Sequence, residues 1–274
     1  MPRRPGRDII RQTAVRAAET AGKIIRRYFS TGIKVEYKGE VNLVTDADRD
    51  SEAAVVKTIR RQFPDHRILA EEGGDLITPG REKTGISPFR WIIDPLDGTT
   101  NFAHSFPFFA VSIAFEAKGE IIFGLVYDPI RREQFIAEKG RGSRVNGRRI
   151  RVSKSRDLEK SLLVTGFAYD VREEISGNLK HFETLLKRSR GIRRTGSAAL
   201  DLCYVASGRF DGFWEMKLSP WDTAAGKLIV EEAGGRVSDF AGGAFAVDLK
   251  EILATNGRIH REMIRWLSDH PHGK

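Results

Sequence analysis

Cysteine is nearly absent. Cys203 stands alone among 274 residues, which excludes an internal disulfide and any zinc cluster built on thiolates. Long apolar runs are missing too: the longest nearly apolar stretch, Phe106 to Phe115, is about half of the ~20 residues that a membrane helix needs. The arginines of the opening "MPRRPGRDII" are followed by no apolar run of the kind a secretory signal carries. These absences predict a cytoplasmic protein with no membrane association. Repeats, low-complexity tracts and linkers are also lacking, so the expectation is one domain over residues 1–274.

What is present is an ordinary globular composition, 40% hydrophobic and 30% charged, with a net charge of +9 and a pI near 9.7. Such a field attracts nucleic acid and small phosphorylated anions alike. Arg144, Arg148, Arg149, Arg151 and Lys154 form one run without an acid. No aromatic residues alternate with these charges, so a stacking platform for single strands is not indicated, and a solvated face is the simpler reading.

Apolar residues recur at helical spacing from Asp8 to Phe29, and a second helix begins after Thr45 with Asp46 and Asp48 in its first turn. Short strands are expected at Arg67 to Ala70 and Arg90 to Ile93. Phe109 to Phe115 and Ile121 to Tyr127 should pair around Lys118-Gly119, and Asn146-Gly147 signals a type I′ turn. Further on, Leu162 to Thr165 and Phe210 to Met216 read as strands. Asn178 to Arg188, Ser197 to Ser207 and "PWDTAAGKLIVEE" read as helices. Loose alternation with hairpins predicts a layered α/β architecture with mixed sheets.

The stretch "WIIDPLDGTTNF", Trp91 to Phe102, places Asp94 at the end of a buried strand, where α/β folds build sites. Asp97 follows three residues later. Two carboxylates with no histidine or cysteine near them suit a hard cation, Mg²⁺ or Mn²⁺, rather than zinc. Standing alone, D-x-x-D-G is better read as a capped turn. Glu71 at the end of another strand is by itself a loop acid, and Asp222 beside Trp221 is by itself a helix N-cap.

The order "EE" after an apolar strand, then "DPLDGTTNF", then "WDTAAGKLIVEEAGG" resembles the inositol monophosphatase family of metal-dependent, lithium-sensitive phosphatases, and the likeness extends from the Asp46 region to "ILATNGRI". The resemblance implies a five-layer αβαβα sandwich, usually a homodimer. It implies two or three Mg²⁺ ions. Glu71, Asp94 and the Leu96 carbonyl would hold one, and Asp94, Asp97 and Asp222 a second. Glu71 would also support a weaker third through waters. Glu71, Thr99 and Asp48 become the catalytic set, with Thr99 orienting a water and Asp48 relaying its proton; Asp46 is the competing choice. Amides around Gly98, Thr99 and Thr100 would receive the phosphate. Ser197, Ala198, Glu215 and Lys38 would line the substrate site. Arg193 and Arg194, just before the Thr195-Gly196-Ser197 turn, read equally well as contacts to a second phosphate, contacts to a dimer partner or a solvated pair.

The expected activity is hydrolysis of inositol 1-phosphate, with fructose 1,6-bisphosphate or dual specificity as the runner-up. The short loop between Glu72 and Arg90 argues against a nucleotide-selective member. A different class is a regulatory protein bound to RNA or RNA polymerase, with which the +9 charge is compatible. A site with Glu71, Asp94, Asp97, Thr99 and Asp222 all intact favours the enzyme.

Overall fold

The computed structural model describes residues 5–31, 35–38, 42–76, 87–168 and 176–268. Side chains of the strands at 35–38 and 42–45 fall outside that description, and with them the expected role of Lys38. In chain order the elements are α1 (Arg7–Thr31), β1 (Val35–Lys38), β2 (Asn42–Thr45), α2 (Asp46–Gln62), β3 (Arg67–Ala70), β4 (Gly74–Leu76), β5 (Phe89–Asp97) and α3 (Thr99–Ala103). Then come β6 (Ala110–Ala117), β7 (Glu120–Asp128), β8 (Glu133–Glu138), β9 (Gly142–Val145), β10 (Arg148–Arg149), β11 (Leu162–Thr165), α4 (Ser176–Leu186), β12 (Gly191–Arg193) and α5 (Ala198–Ala206). The chain closes with β13 (Gly212–Met216), α6 (Pro220–Glu232), β14 (Arg236–Ser238), β15 (Glu251–Thr255) and α7 (His260–Ser268).

β1 and β2 pair as a two-stranded hairpin; the rest form an eight-stranded sheet, β10-β9-β8-β7-β6-β5-β3-β4, and a five-stranded sheet, β12-β11-β13-β15-β14. Both are mixed. β3 runs parallel to β5 in an otherwise antiparallel sheet, and β11 runs parallel to both neighbours while β13 and β15 are antiparallel.

Strand alternation sorts side chains into layers. On β5, Trp91 and Ile93 face a core shared with α1 and α2, where Ala14, Ala17, Ala18, Ala21, Val55 and Ile59 are buried. Ile92 faces the other way, into a core filled by Leu200, Leu202 and Cys203 of α5 and Ala225, Leu228 and Ile229 of α6. Val164, Phe213, Ile252 and Ala254 close that same core from the five-stranded sheet. Their neighbours Leu163, Trp214 and Leu253 turn outward to Leu185 of α4 and Met263 and Leu267 of α7. The order is helix pair, sheet, helix pair, sheet, helix pair, the five layers expected. The middle layer packs tightly: a Cβ on Gly124 of β7 would lie 2.7 Å from the Ala225 carbonyl oxygen.

The type I′ turn expected at Asn146-Gly147 is present, with φ of 47° and 79°, and the hairpin expected around Lys118-Gly119 turns in the same way, with φ of 55° and 80°. One element differs in a way that matters. β5 does not stop at Ile93 but continues to Asp97. Asp94 pairs with Ser112 and Asp97 with Ala110, so three steps on β5 match two on β6. That is a bulge, and Pro95, which has no N–H to offer a ladder, sits inside it.

Candidate active site

In a regular strand, residues three apart point to opposite faces. The extra residue in the β5 bulge lets Asp94 and Asp97 converge. The Leu96 N–H donates to Asp94 Oδ1 at 2.9 Å and braces the bulge. Asp97 Oδ2 accepts the Ser197 hydroxyl at 2.5 Å and the Ala199 N–H at 2.9 Å, so the start of α5 holds it from the far side. Gly98 then turns the chain into α3 with φ 99°, and a Cβ there would meet the Phe108 carbonyl oxygen at 3.0 Å. Only glycine fits that place without displacement.

The third aspartate comes from α6. Ser219, not Asp222, is the N-cap; Asp222 occupies the third helical position, and its Oδ2 accepts the Ser219 N–H at 2.6 Å. The reading of Asp222 as an N-cap is therefore corrected, while its place in the site stands. Carboxylate oxygens of Asp94, Asp97 and Asp222 lie within 4.8 Å of one another. Together with Glu71, Thr99, Gly98, Thr100, Ala198 and Glu215 they line one cavity of about 260 Å³.

Thr99 Oγ1 lies 3.1 Å from the Leu96 carbonyl oxygen and 3.2 Å from Asp48 Oδ1. Its single hydroxyl proton can go to either. Asp48 is fully buried, whereas Asp46 is half-exposed and lies 3.6 Å from Arg49. Of the two acids, Asp48 is the one within hydrogen-bond reach of Thr99.

The electrostatics of this pocket are unusual for a folded interior. Burial pushes Asp94 well above the usual carboxylate range, and the charges of Glu71, Asp97 and Asp222 add to it. Burial, then Asp222, Glu72 and Asp48, raise Glu71 to about 8. Asp97 rises to about 6 through burial, against its hydrogen bonds from Ser197, Ala199 and Ala198. Asp222 rises to about 7 through burial and the charge of Asp97. Glu215 rises to about 8 through burial and the charges of Asp222 and Asp97, with Arg194 opposing. Carboxylates crowded out of water need counter-charge. The donors here are all hard oxygens, the set that Mg²⁺ prefers, so the residues present fit that cation.

Ser197 lines the cavity, but its hydroxyl is committed to Asp97. Arg193 and Arg194 are both exposed; Arg194 reaches the cavity wall, while Arg193 on β12 turns its guanidinium to the Ile192 carbonyl at 3.1 Å. Three supporting residues escaped the sequence reading. Asn101 Nδ2 donates to the carbonyls of Phe108 and Thr195, both at 2.8 Å, and ties α3 to the turn before α5. Ser112 donates to the Trp221 carbonyl at 3.1 Å and fixes the start of α6 against β6. Asp201, fully buried on α5, accepts the Thr195 hydroxyl. Asn101 lay within the quoted motif, but its partners are distant in sequence and no local pattern reveals them.

The profile of the inositol monophosphatase family matches residues 7–272. An inositol-1-monophosphatase of Synechocystis sp. is 46% identical over 261 residues, covering 95% of this chain and 89% of that one. The Nus factor SuhB of Escherichia coli K12 is 44% identical over 258 residues, covering 93% and 94%. The solved inositol monophosphatase from Anabaena (Nostoc) sp. PCC 7120 superposes with a TM-score of 0.84 at 45% identity, covering 95% of each chain. With the bulged aspartate pair, the five layers and the end-to-end match, the chain belongs to the inositol monophosphatase family.

Proposed function

We propose that this chain is a single-domain, Mg²⁺-dependent phosphatase for small phosphorylated polyols, with inositol 1-phosphate as the simplest substrate and fructose 1,6-bisphosphate as the second. The observation that carries the reading is the Thr99 hydroxyl between Asp48 and the Leu96 carbonyl, beside three converging aspartates. A site that merely held a structural metal would have no use for that hydroxyl. Glu71, Asp94 and the Leu96 carbonyl would hold one ion, and Asp94, Asp97 and Asp222 a second, with Glu71 also supporting a weaker third. When bound, the ions neutralise phosphate charge, lower the pKa of water and stabilise the leaving alkoxide.

The protein's own groups do the rest. Thr99 Oγ1 orients a water and accepts its proton while passing its own to Asp48 Oδ1, leaving the hydroxyl intact and the carboxylate protonated. The first-turn amides of α3 have no partners within the helix and would face the phosphate. Glu215 accepts hydrogen bonds from substrate hydroxyls. This division suits phosphoryl transfer, which requires positioning and charge neutralisation more than a protein nucleophile. The family's usual homodimer and lithium sensitivity are part of the same proposal.

The test is phosphate release from inositol 1-phosphate and fructose 1,6-bisphosphate, with Mg²⁺ or EDTA, for the wild type and Asp94→Asn. Turnover that needs Mg²⁺ and vanishes in the variant is expected. A folded wild type that releases no phosphate from either ester in Mg²⁺ would sink the reading.

A second reading has its own observation. Arg141, Arg144, Arg148, Arg149, Arg151, Lys154 and Arg156 are all exposed in and around the β9–β10 hairpin, and Arg144 and Arg149 face each other across it. Like charges directly opposed are unfavourable unless an anion is shared. Several relatives carry the name Nus factor, so a regulatory RNA or RNA polymerase contact would use this surface. RNA retention that persists in EDTA and falls steeply with salt is its signature.

A further inference from the structure

Helix α2 carries two acids on its buried face. Asp48 and Glu52 stand about one helical turn apart and are 0% and 8% exposed, on a helix that otherwise sends Val55 and Ile59 into the core. A carboxylate taken out of water is costly unless it is hydrogen-bonded. Asp48 meets the Thr99 hydroxyl. Glu52 reaches the turn after β3, where its Oε2 accepts the Glu72 N–H at 2.9 Å.

That turn is where Glu71 stands. Ala70 at the end of β3 pairs with Gly74 of β4, so Glu71, Glu72 and Gly73 form the connection between them. A strand residue has its side-chain direction set by the sheet, and Glu71 lies just beyond the last pair. β4 is three residues long and lies at the edge of the eight-stranded sheet. The N–H that Glu52 holds belongs to the peptide joining Glu71 to Glu72, and fixing that peptide fixes the backbone from which the Glu71 side chain departs. Gly73 brings the turn against the same carboxylate: a Cβ there would lie 2.8 Å from Glu52 Oε1. The Glu71 side chain lines the cavity and meets Asp94.

We propose that Glu52 is a positioning residue for the metal site: by holding the Glu71–Glu72 peptide it aims the Glu71 carboxylate into the cavity and so sets the affinity for Mg²⁺. This rests on the Mg²⁺-dependent phosphatase reading above and adds to it a residue that touches neither the cation nor the substrate. Helix α2 then serves the site twice, through Asp48 at the Thr99 hydroxyl and through Glu52 at the Glu71 turn.

The test is calorimetric titration of Mg²⁺ into the metal-free protein, with the Mg²⁺ dependence of phosphate release from inositol 1-phosphate measured in parallel, for wild type, Glu52→Ala, Glu52→Gln and Val55→Ala. Glu52→Ala should weaken Mg²⁺ binding about 10–100-fold, the cost of losing a group that orients a metal ligand, and move the Mg²⁺ midpoint of turnover in the same direction. At saturating Mg²⁺ its KM for inositol 1-phosphate should return to the wild-type value. Glu52→Gln keeps an oxygen that can accept the Glu72 N–H and should keep most of the affinity. Val55→Ala removes buried volume from the same helix and should lower the melting temperature while leaving Mg²⁺ binding in place, so lost stability alone cannot produce the shift. Mg²⁺ binding unchanged in Glu52→Ala, or weakened as much in Val55→Ala or Glu52→Gln, would overturn the brace and leave the phosphatase standing. A wild type that binds Mg²⁺ but releases no phosphate would remove the phosphatase reading instead, with the brace still read from the calorimetry. A wild type that binds no Mg²⁺ would remove both.

Discussion

At the scale of single residues, the hydroxyl of Thr99 and the carboxylate of Asp48 sit 3.2 Å apart in a fully buried corner. That places them to move one proton without a base from solvent. Thr99→Ala should lower kcat by about 10²–10⁴-fold, the range for a lost general acid–base group, and leave thermal stabilisation by Mg²⁺ intact. Both are read by steady-state kinetics and a melting curve on the same sample. A variant that keeps wild-type kcat would remove Thr99 from the chemistry. Asp94, Asp97 and Asp222 were each legible in the sequence, but as acids beside turns. Their convergence was not legible, because it depends on contacts between residues as distant as Asp97 and Ser197. Lys38, named from the motif alone, lies outside the described side chains.

At the scale of elements, periodicity located most helices and strands because the layers enforce it. A strand buried on both faces, such as β5, shows a continuous apolar run, and its end was misjudged where the run met Asp94. The true strand extends to Asp97, since backbone pairing with β6 does not require apolar side chains. The sequence reading also assigned no strand to β4, β12, β14 or β15 and no helix to α7. These are short, peripheral or flanked by ambiguous signals, and tertiary pairing decides them. The helix-on-sheet contact in the middle layer is tight enough to test. Gly124→Ala places a methyl 2.7 Å from the Ala225 carbonyl oxygen, backbone against backbone, so overpacking should cost about 1–3 kcal/mol. Chemical denaturation measures this directly; a neutral outcome would mean that α6 can move off β7.

At the scale of the whole molecule, two sets of buried groups oppose each other as pH changes. Without metal, Asp97, Asp222, Glu71 and Glu215 have raised values of about 6, 7, 8 and 8. A raised folded-state pKa gives stability that is present at low pH and lost as pH climbs through it. The metal-free protein should therefore weaken as pH climbs above the ordinary carboxylate range near 4, a loss that continues up to about pH 8 through Glu71 and Glu215. His66 and His260 act in the other direction. Burial lowers both to about 4; His66 accepts a hydrogen bond from Trp91 at 3.1 Å, and His260 lies between Ser238 and Thr255 at 2.9 Å each. Their stability is complete above pH 6.5 and is lost as pH falls towards 4, at about 1–2 kcal/mol each by pH 5. Above pH 6.5 the histidines contribute no further change, so a melting temperature in EDTA that falls from pH 6 to 8 is expected. A flat profile from pH 6 to 8 would contradict the charge crowding.

The central claim is that this crowd of carboxylates is a magnesium site, and calorimetric titration of Mg²⁺ into the metal-free protein at pH 7.5, in two buffers of different ionisation enthalpy, tests it most directly. The account predicts saturable binding with net proton release, because Glu71 and its neighbours give up protons as the cation arrives. It also predicts loss of that binding in Asp94→Asn. A wild-type protein that binds no Mg²⁺, or binds it as well after Asp94→Asn, would contradict the account.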